Sequence, residues 1–361
     1  RMVRSNQPLV ERMTLVWHDW FATGDTGPPA LGLGQNELFR KHALGSFKQI
    51  LVRVTRDPAM LLWLSGTENT KWAPNENYAR ELMELFTLGA GAGYTEDDVR
   101  EQARALTGWT NDWDDDTGPT DFRYDRELHD SGRKKIFGEK GKFDWKDSCR
   151  LCLEHKRHPG FLVQKLWSYF VPTPIDGATG KALRKMYVKS NYAIGPLVEA
   201  ILKHPALYEG PRMVKPPVVY IAGLLRARGK GIETDSWTWI ADLAGQRLFD
   251  PPNVAGWNED RWLDTSTLRG RWIAASRITR EEPLLTKNPY DVLENPAQAV
   301  DAALAYWGNP TITSATRAEL EGFAGRVEGL MDRVWKQAQY RVLRQNALRM
   351  LVATCPDLQT C

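Results

Sequence analysis

The chain has 361 residues, 42% of them hydrophobic and 26% charged, with a formal net charge of +3. That is enough chain for one large domain or two modest ones and ordinary enough to exclude wholesale disorder. A nearly balanced charge leaves no electrostatic footprint for nucleic acid, and no stretch approaches the roughly 20 apolar residues that cross a bilayer. From Val10 to Ala22 apolar side chains fall at 10, 13, 16, 17, 20 and 21, a helical stripe. Asn36 is placed to cap a second helix whose inward face is Leu38, Phe39, Ala43, Phe47, Ile50, Leu51 and Val54. Asp57-Pro58 stops it and opens a short helix from Ala59 to Leu64, followed by a polar loop, Thr67 to Pro74. Asn75 to Leu88 reads as a helix closed by Gly89, and Thr95 with Asp98 forms a capping box for a helix to Leu106.

Residues 110–143 lose the periodicity and read as a long loop, the kind that is functional when it occurs in a compact chain. Helices resume at about 144–156, 159–170, 178–190 and 193–204. Pro216-Pro217 introduces another to Arg228, Ser236 to Phe249 forms the next, and Phe249 to Leu263 is a second irregular segment. A helix from Thr267 to Ile278 gives way to Pro-punctuated loops, and 316–354 reads as one or two long helices. The expectation is therefore all-α: one irregular helical domain over 1–361, with two functional-looking loops.

Fifteen tryptophans are the compositional oddity. Rings of that size belong mostly in a core, although some can line a ligand surface. Four cysteines fall as Cys149-x-x-Cys152 and Cys355-x5-Cys361. Cys355 and Cys361 are expected to pair, and Cys149 and Cys152 to be paired or free, rather than joining His155 and His158 on zinc.

Three places could carry chemistry. Asn77, Glu81 and Glu84 share one polar stripe of their helix, bordered by Arg80. Two carboxylates a turn apart can hold a divalent metal or act as an acid/base pair, while the plainer reading is a solvated face with Arg80 as ion-pair partner. His129-Asp130, in the long loop, can be a ligand pair or a base with its orienter, or a turn with a surface histidine. His18 sits among Trp17, Trp20 and Phe21, a setting for a core histidine or a metal ligand. A converged site would take Glu81, Glu84, His129 and Asp130 as catalytic groups and His18, Glu81, Glu84 and His129 as metal ligands. Asn77, Arg80, Trp257 and Trp262 would bind substrate. No phosphate-cradling glycine loop, nucleophile elbow or HExxH motif occurs.

The segment Asn75-Glu-Asn-Tyr-Ala-Arg-Glu-Leu-Met-Glu-Leu-Phe-Thr-Leu-Gly89 resembles the signature of the domain of unknown function 1800 family. So do Gly93-Tyr-Thr-Glu-Asp-Asp-Val99, Ala105-Leu-Thr-Gly-Trp109, Trp17-His18 with Phe21, and His42-Ala-Leu-Gly-Ser-Phe47. Asp57-Pro-Ala-Met60, His129-Asp130 with Lys135 and Gly138, Gly245-Gln246, Pro251-Pro-Asn-Val-Ala-Gly-Trp257 and Trp262 extend the likeness over about 9–278. The resemblance implies a helical fold, export across the inner membrane and frequent pairing with a sulfatase-like exported protein, but no established activity. It also implies helices upstream of this start, so the N-terminus is expected to be trimmed or processed. A second histidine common in the family corresponds to Trp20 here. The leading expectation is an exported enzyme, periplasmic or extracellular, hydrolytic or metal-assisted, acting on an extracellular polymer or glycan. The rival is a non-catalytic exported binding or scaffold protein serving a sulfatase-like partner.

Overall fold

A computed structural model describes residues 1–24, 27–280, 294–328 and 334–361. Contacts group the chain into two compact units, one built on 7–211 with 249–257, the other on 1–6, 212–248 and 258–361. Helical periodicity is a local signal, blind to which helices share a core, and it marked no such boundary.

The larger unit begins with α1 (Pro8–Trp20), α2 (Pro29–Lys41), α3 (Phe47–Val54) and α4 (Pro58–Trp63). The expected second helix is thus two. Asn36 does not cap it; Pro29 opens α2, and Asn36 lies inside, accepting from Arg40 through its side chain. Asp57 does cap α4, taking the Met60 N–H. Helix α5 (Glu76–Glu81) continues as a π-helix over Leu82–Thr87, and α6 (Glu96–Ala105) carries the Thr95–Asp98 capping box.

The segment read as a loop holds strand, which corrects the all-α expectation to a mostly helical fold. Strands β1 (Trp109–Asp114) and β2 (Gly118–Tyr124) form one antiparallel pair, β3 (Lys134–Ile136) and β4 (Glu139–Gly141) another. Both are short hairpins, and their turns and polar edges hide the alternation that identifies longer strands. Then come α7 (Trp145–Glu154), α8 (His158–Ser168), α9 (Gly177–Lys189), α10 (Ile194–Leu202) and α11 (Ala206–Glu209).

Trp17, Trp20, Phe21, Phe39, Phe47 and Phe86 interlock in the centre of this unit, with ring centroids 5.1–6.1 Å apart in several pairs. Truncating any one of these rings to alanine would cost about 3–5 kcal/mol. Cys149 and Cys152 face the same core, against Thr55 Oγ1 and Gln102 Nε2 at 3.3 Å each. Burial pushes their thiols above the usual range, so they are inert packing groups.

The other unit comprises α12 (Pro217–Ala227), α13 (Ser236–Leu243), α14 (Thr265–Arg280), α15 (Pro296–Tyr306), α16 (Ser314–Glu328), α17 (Val334–Thr354) and α18 (Pro356–Gln359). Helix α13 stops short of Phe249 because Gly245 takes a left-handed φ. The tail supplies two helices, while 281–293, within the expected Pro-punctuated loops, and 329–333 lie outside the described residues. All four cysteines are free thiols, so Cys355 and Cys361 do not pair. Cys361 is held in a backbone bridge to Met213, and Cys355 caps α18. No described helix is long and apolar enough to cross a membrane.

Candidate functional site

The signature helix is distorted where it matters. Over Leu82–Thr87 the ladder widens to a π turn, with Leu88 N–H reaching Met83 O at 2.8 Å. Such turns are uncommon and recur at functional sites. The last carbonyls of a helix need partners from outside it. Here three in succession are answered by side chains: Leu85 O by Lys165 Nζ at 3.1 Å, Phe86 O by Trp20 Nε1 at 3.1 Å, and Thr87 O by His158 Nδ1 at 2.9 Å.

On the polar stripe, Asn77 is exposed and Arg80 is spoken for by Glu76 and Glu96, at 3.1 and 2.8 Å. Arg80 makes no direct ion pair with Glu81 or Glu84, although its charge still pulls the Glu81 carboxyl down. Glu81 and Glu84 are half-buried and make no hydrogen bond or ion pair among the described residues. Burial, then the neighbouring Glu84, lifts the Glu81 carboxyl above the usual range.

His129 and Asp130 lie elsewhere in the unit's contact network, in a knot of their own. His129 Nδ1 donates to Thr107 O at 3.0 Å, which leaves the lone pair on Nε2. Asp130 accepts from Arg104 Nε at 2.7 Å and from Gly132 N at 2.8 Å, and buried Lys134 donates to its carbonyl. Although burial pushes the Asp130 carboxyl up, these donors hold it below the usual range. Gly108 makes the knot possible: at φ +113°, any Cβ would lie 2.8 Å from Tyr124 and 3.1 Å from His129. His129 and Asp130 thus brace α6 against the hairpins.

A third centre joins residues far apart in sequence. His18 Nε2 accepts the Phe249 N–H at 2.9 Å, and its ring lies between Phe249 and Trp257, centroids 5.0 and 5.2 Å away. Nδ1 then carries the proton and is buried without a hydrogen-bond partner. Burial lowers this imidazole to about 4, so it is neutral at pH 7. Next to it, Asp19 accepts from Trp257 N–H at 2.9 Å and from Tyr169 O–H at 2.5 Å. Burial raises the Asp19 carboxyl despite those two donors and the nearby Lys165 and Arg12 cations. Burial likewise lowers Lys165 to about 8 against the pull of Asp19.

Gly256 closes the loop over Asp19. Its φ is +94°, and a Cβ there would sit 2.3 Å from Asp19 Oδ1 and 2.9 Å from the Asp19 carbonyl oxygen. Gly256→Ala is expected to cost about 2–4 kcal/mol, combining left-handed strain with displacement of the loop. Chemical denaturation of the variant checks this; a change below about 0.5 kcal/mol would show the loop yields freely.

The sequence pointed to His18 and Trp257 but missed Asp19, Lys165 and Tyr169. A signal existed: Lys165 and Tyr169 stand four apart toward the end of a largely apolar helix, so they share a face. Trp257 and Trp262 are only 7% and 4% exposed, so neither offers an open stacking face. Among the described residues no three of His, Cys, Asp and Glu are grouped to hold a metal ion. His18, Glu81, Glu84 and His129 thus form no joint centre. Glu81 and Glu84 are neighbours, but His18 packs on Phe249 and Trp257 and His129 on Tyr124 and Thr107, which spacing along a helix does not reveal.

A family model described as "Protein of unknown function (DUF1800)" matches residues 1–360. No curated protein and no solved structure matches the chain.

Proposed function

This chain belongs to the DUF1800 family of proteins of unknown function, and we propose that it is an exported enzyme hydrolysing an extracellular polymer or glycan. In this reading Asp19 and Lys165 are its acid–base pair. The observation that carries it is the convergence of α1, α8 and the 249–257 loop on one half-buried carboxyl beside a lysine lowered to about 8. In water a carboxyl and an amine differ by more than six units of proton affinity. Raising one and lowering the other narrows that gap, which is the condition for passing a proton at near-neutral pH. Asp19 as carboxylate takes the proton of the attacking water, and Lys165 as ammonium gives one to the leaving oxygen. Tyr169 and the Trp257 N–H orient the carboxylate, and neutral His18 holds the loop.

The test is release of reducing ends from a panel of extracellular polysaccharides. Asp19→Asn keeps an acceptor for Trp257 N–H and is expected to cut turnover about 100-fold or more with the fold retained. Turnover in the native protein should fall above pH 8 as Lys165 loses its proton, and Lys165→Arg should move that limb upward. Full turnover in both Asp19→Asn and Lys165→Met would end the reading.

The non-catalytic alternative, a binding or scaffold protein with a sulfatase-like partner, draws on a different observation. Trp72 and Trp113 are each 71% exposed, and Lys71 lies over the Trp72 ring at 4.4 Å. Exposed tryptophans of this kind are frequent anchors at interfaces.

A further inference from the structure

The larger unit carries a groove of about 990 Å³ between α6, the β3–β4 hairpin and the C-terminal end of α7. Its lining is strongly charged, and some of those charges are paired while others are not. Asp97 pairs with Arg100 at 2.5 Å, and Asp98 accepts from Phe137 N at 2.7 Å and Thr95 N at 2.9 Å. Glu101 takes Arg104 at 2.7 Å and Lys135 N at 2.8 Å, while Glu154 and Glu139 both face Arg150, at 2.7 and 3.9 Å. Every carboxylate in the lining is thus engaged.

Of the lining cations, Arg100 is taken by Asp97, but the two lysines are not engaged. Lys135 and Lys156 are exposed, and neither ammonium has a hydrogen-bond or ion-pair partner among the described residues. His155 Nδ1 accepts the Arg157 N–H at 3.3 Å, so the ring proton is on Nε2, which has no partner there either. The His155 ring rests on Phe137 at 4.8 Å, giving the groove an apolar face beside its donors.

We propose that this groove binds an anionic saccharide, a short run of sugars bearing carboxylates. Lysine ammoniums suit a carboxylate as point charges, imidazole N–H suits a ring hydroxyl, and stacked rings suit the apolar face of a pyranose. The five lining carboxylates are matched in number by Arg100, Arg104, Arg150, Lys135 and Lys156, so the ligand is held at two points rather than drawn in by a net field, and moderate salt weakens it without abolishing it. The inference shares its glycan class with the proposed function but not its catalytic centre.

Titration calorimetry of the full chain with oligogalacturonate, and with an uncharged galactan oligomer of equal length, tests it. Oligogalacturonate should bind and the neutral oligomer should bind at least tenfold more weakly. Lys135→Ala with Lys156→Ala should weaken oligogalacturonate at least tenfold with an unchanged melting temperature, and Lys135→Arg should retain binding. Asp19→Asn should bind like the native chain, which separates this site from the proposed centre. Absent binding, equal binding of the neutral oligomer, tighter binding of polyphosphate or single-stranded DNA, or an unaffected double variant would overturn it.

Discussion

Replacing Arg271 with leucine is expected to destabilise its unit by about 3–5 kcal/mol, because the guanidinium is buried and several of its donors are used. Its Nε donates to Trp262 O at 3.0 Å, one terminal nitrogen to Gln359 Oε1 at 3.2 Å and the other to Lys215 O at 2.6 Å. The cation also lies over the Tyr220 ring at 5.2 Å. These contacts tie α14 to the chain before α12, to the turn at Trp262 and to α18. Burial pulls the guanidinium down to about 10, which still leaves it charged at any physiological pH. Leucine fills much of the volume but leaves two backbone carbonyls and one amide oxygen unanswered, each costing about 1–3 kcal/mol. Lysine keeps the charge but not the fork of donors, so Arg271→Lys should fall between. Calorimetry checks both, and an Arg271→Leu melting transition within a degree or two of the native one would show that water replaces those bonds.

His158→Gln is expected to lose its destabilising effect in acid, a result that identifies the native imidazole as neutral. His158 is fully buried, stacked on Phe47 and joined to Thr87 O and Tyr187 O–H. Burial lowers it to about 4, outweighing the hydrogen bond to Thr87. The sign follows from where protons bind. Above the unfolded value near 6.5, both states are neutral and the contribution to stability is fully present. As pH falls from there toward 4, the unfolded chain takes up the proton first, and roughly 3 kcal/mol is lost. The gap between native and variant stability should therefore shrink by about that amount between pH 7 and pH 4. The whole-protein curve is a poorer readout. His18 shifts in the same direction, whereas burial raises Asp57 to about 6, so that its folded form binds a proton early and gains stability in acid. A gap that stays constant with pH would mean His158 is not held neutral by burial.

What the residues determined on their own is everything governed by near neighbours. The stripe of α1, the Asp57 cap, the Thr95–Asp98 box and the helices from 144 to 204 follow from side-chain period and capping chemistry, which act within a few residues. Local signals also failed locally. Asn36 looked like a cap, but Pro28-Pro29 starts α2 earlier, and the hairpins in 109–141 are too short for alternation to show. The polar stripe of Asn77, Glu81 and Glu84 was legible, yet nothing in it revealed the π turn that begins one residue after Glu81. Tertiary structure alone decided which charges lose their water and which find partners. Asp19 and Lys165 are unremarkable in sequence, 146 positions apart, and become a perturbed pair only because α1 and α8 pack together under the Gly256 loop. His129-Asp130 left a ligand or base pair and a plain turn equally open in sequence, and the fold places them on Thr107 and Arg104. The physical reason is that helix formation depends on bonds within a turn or two, whereas desolvation and ion pairing depend on what the rest of the chain brings alongside.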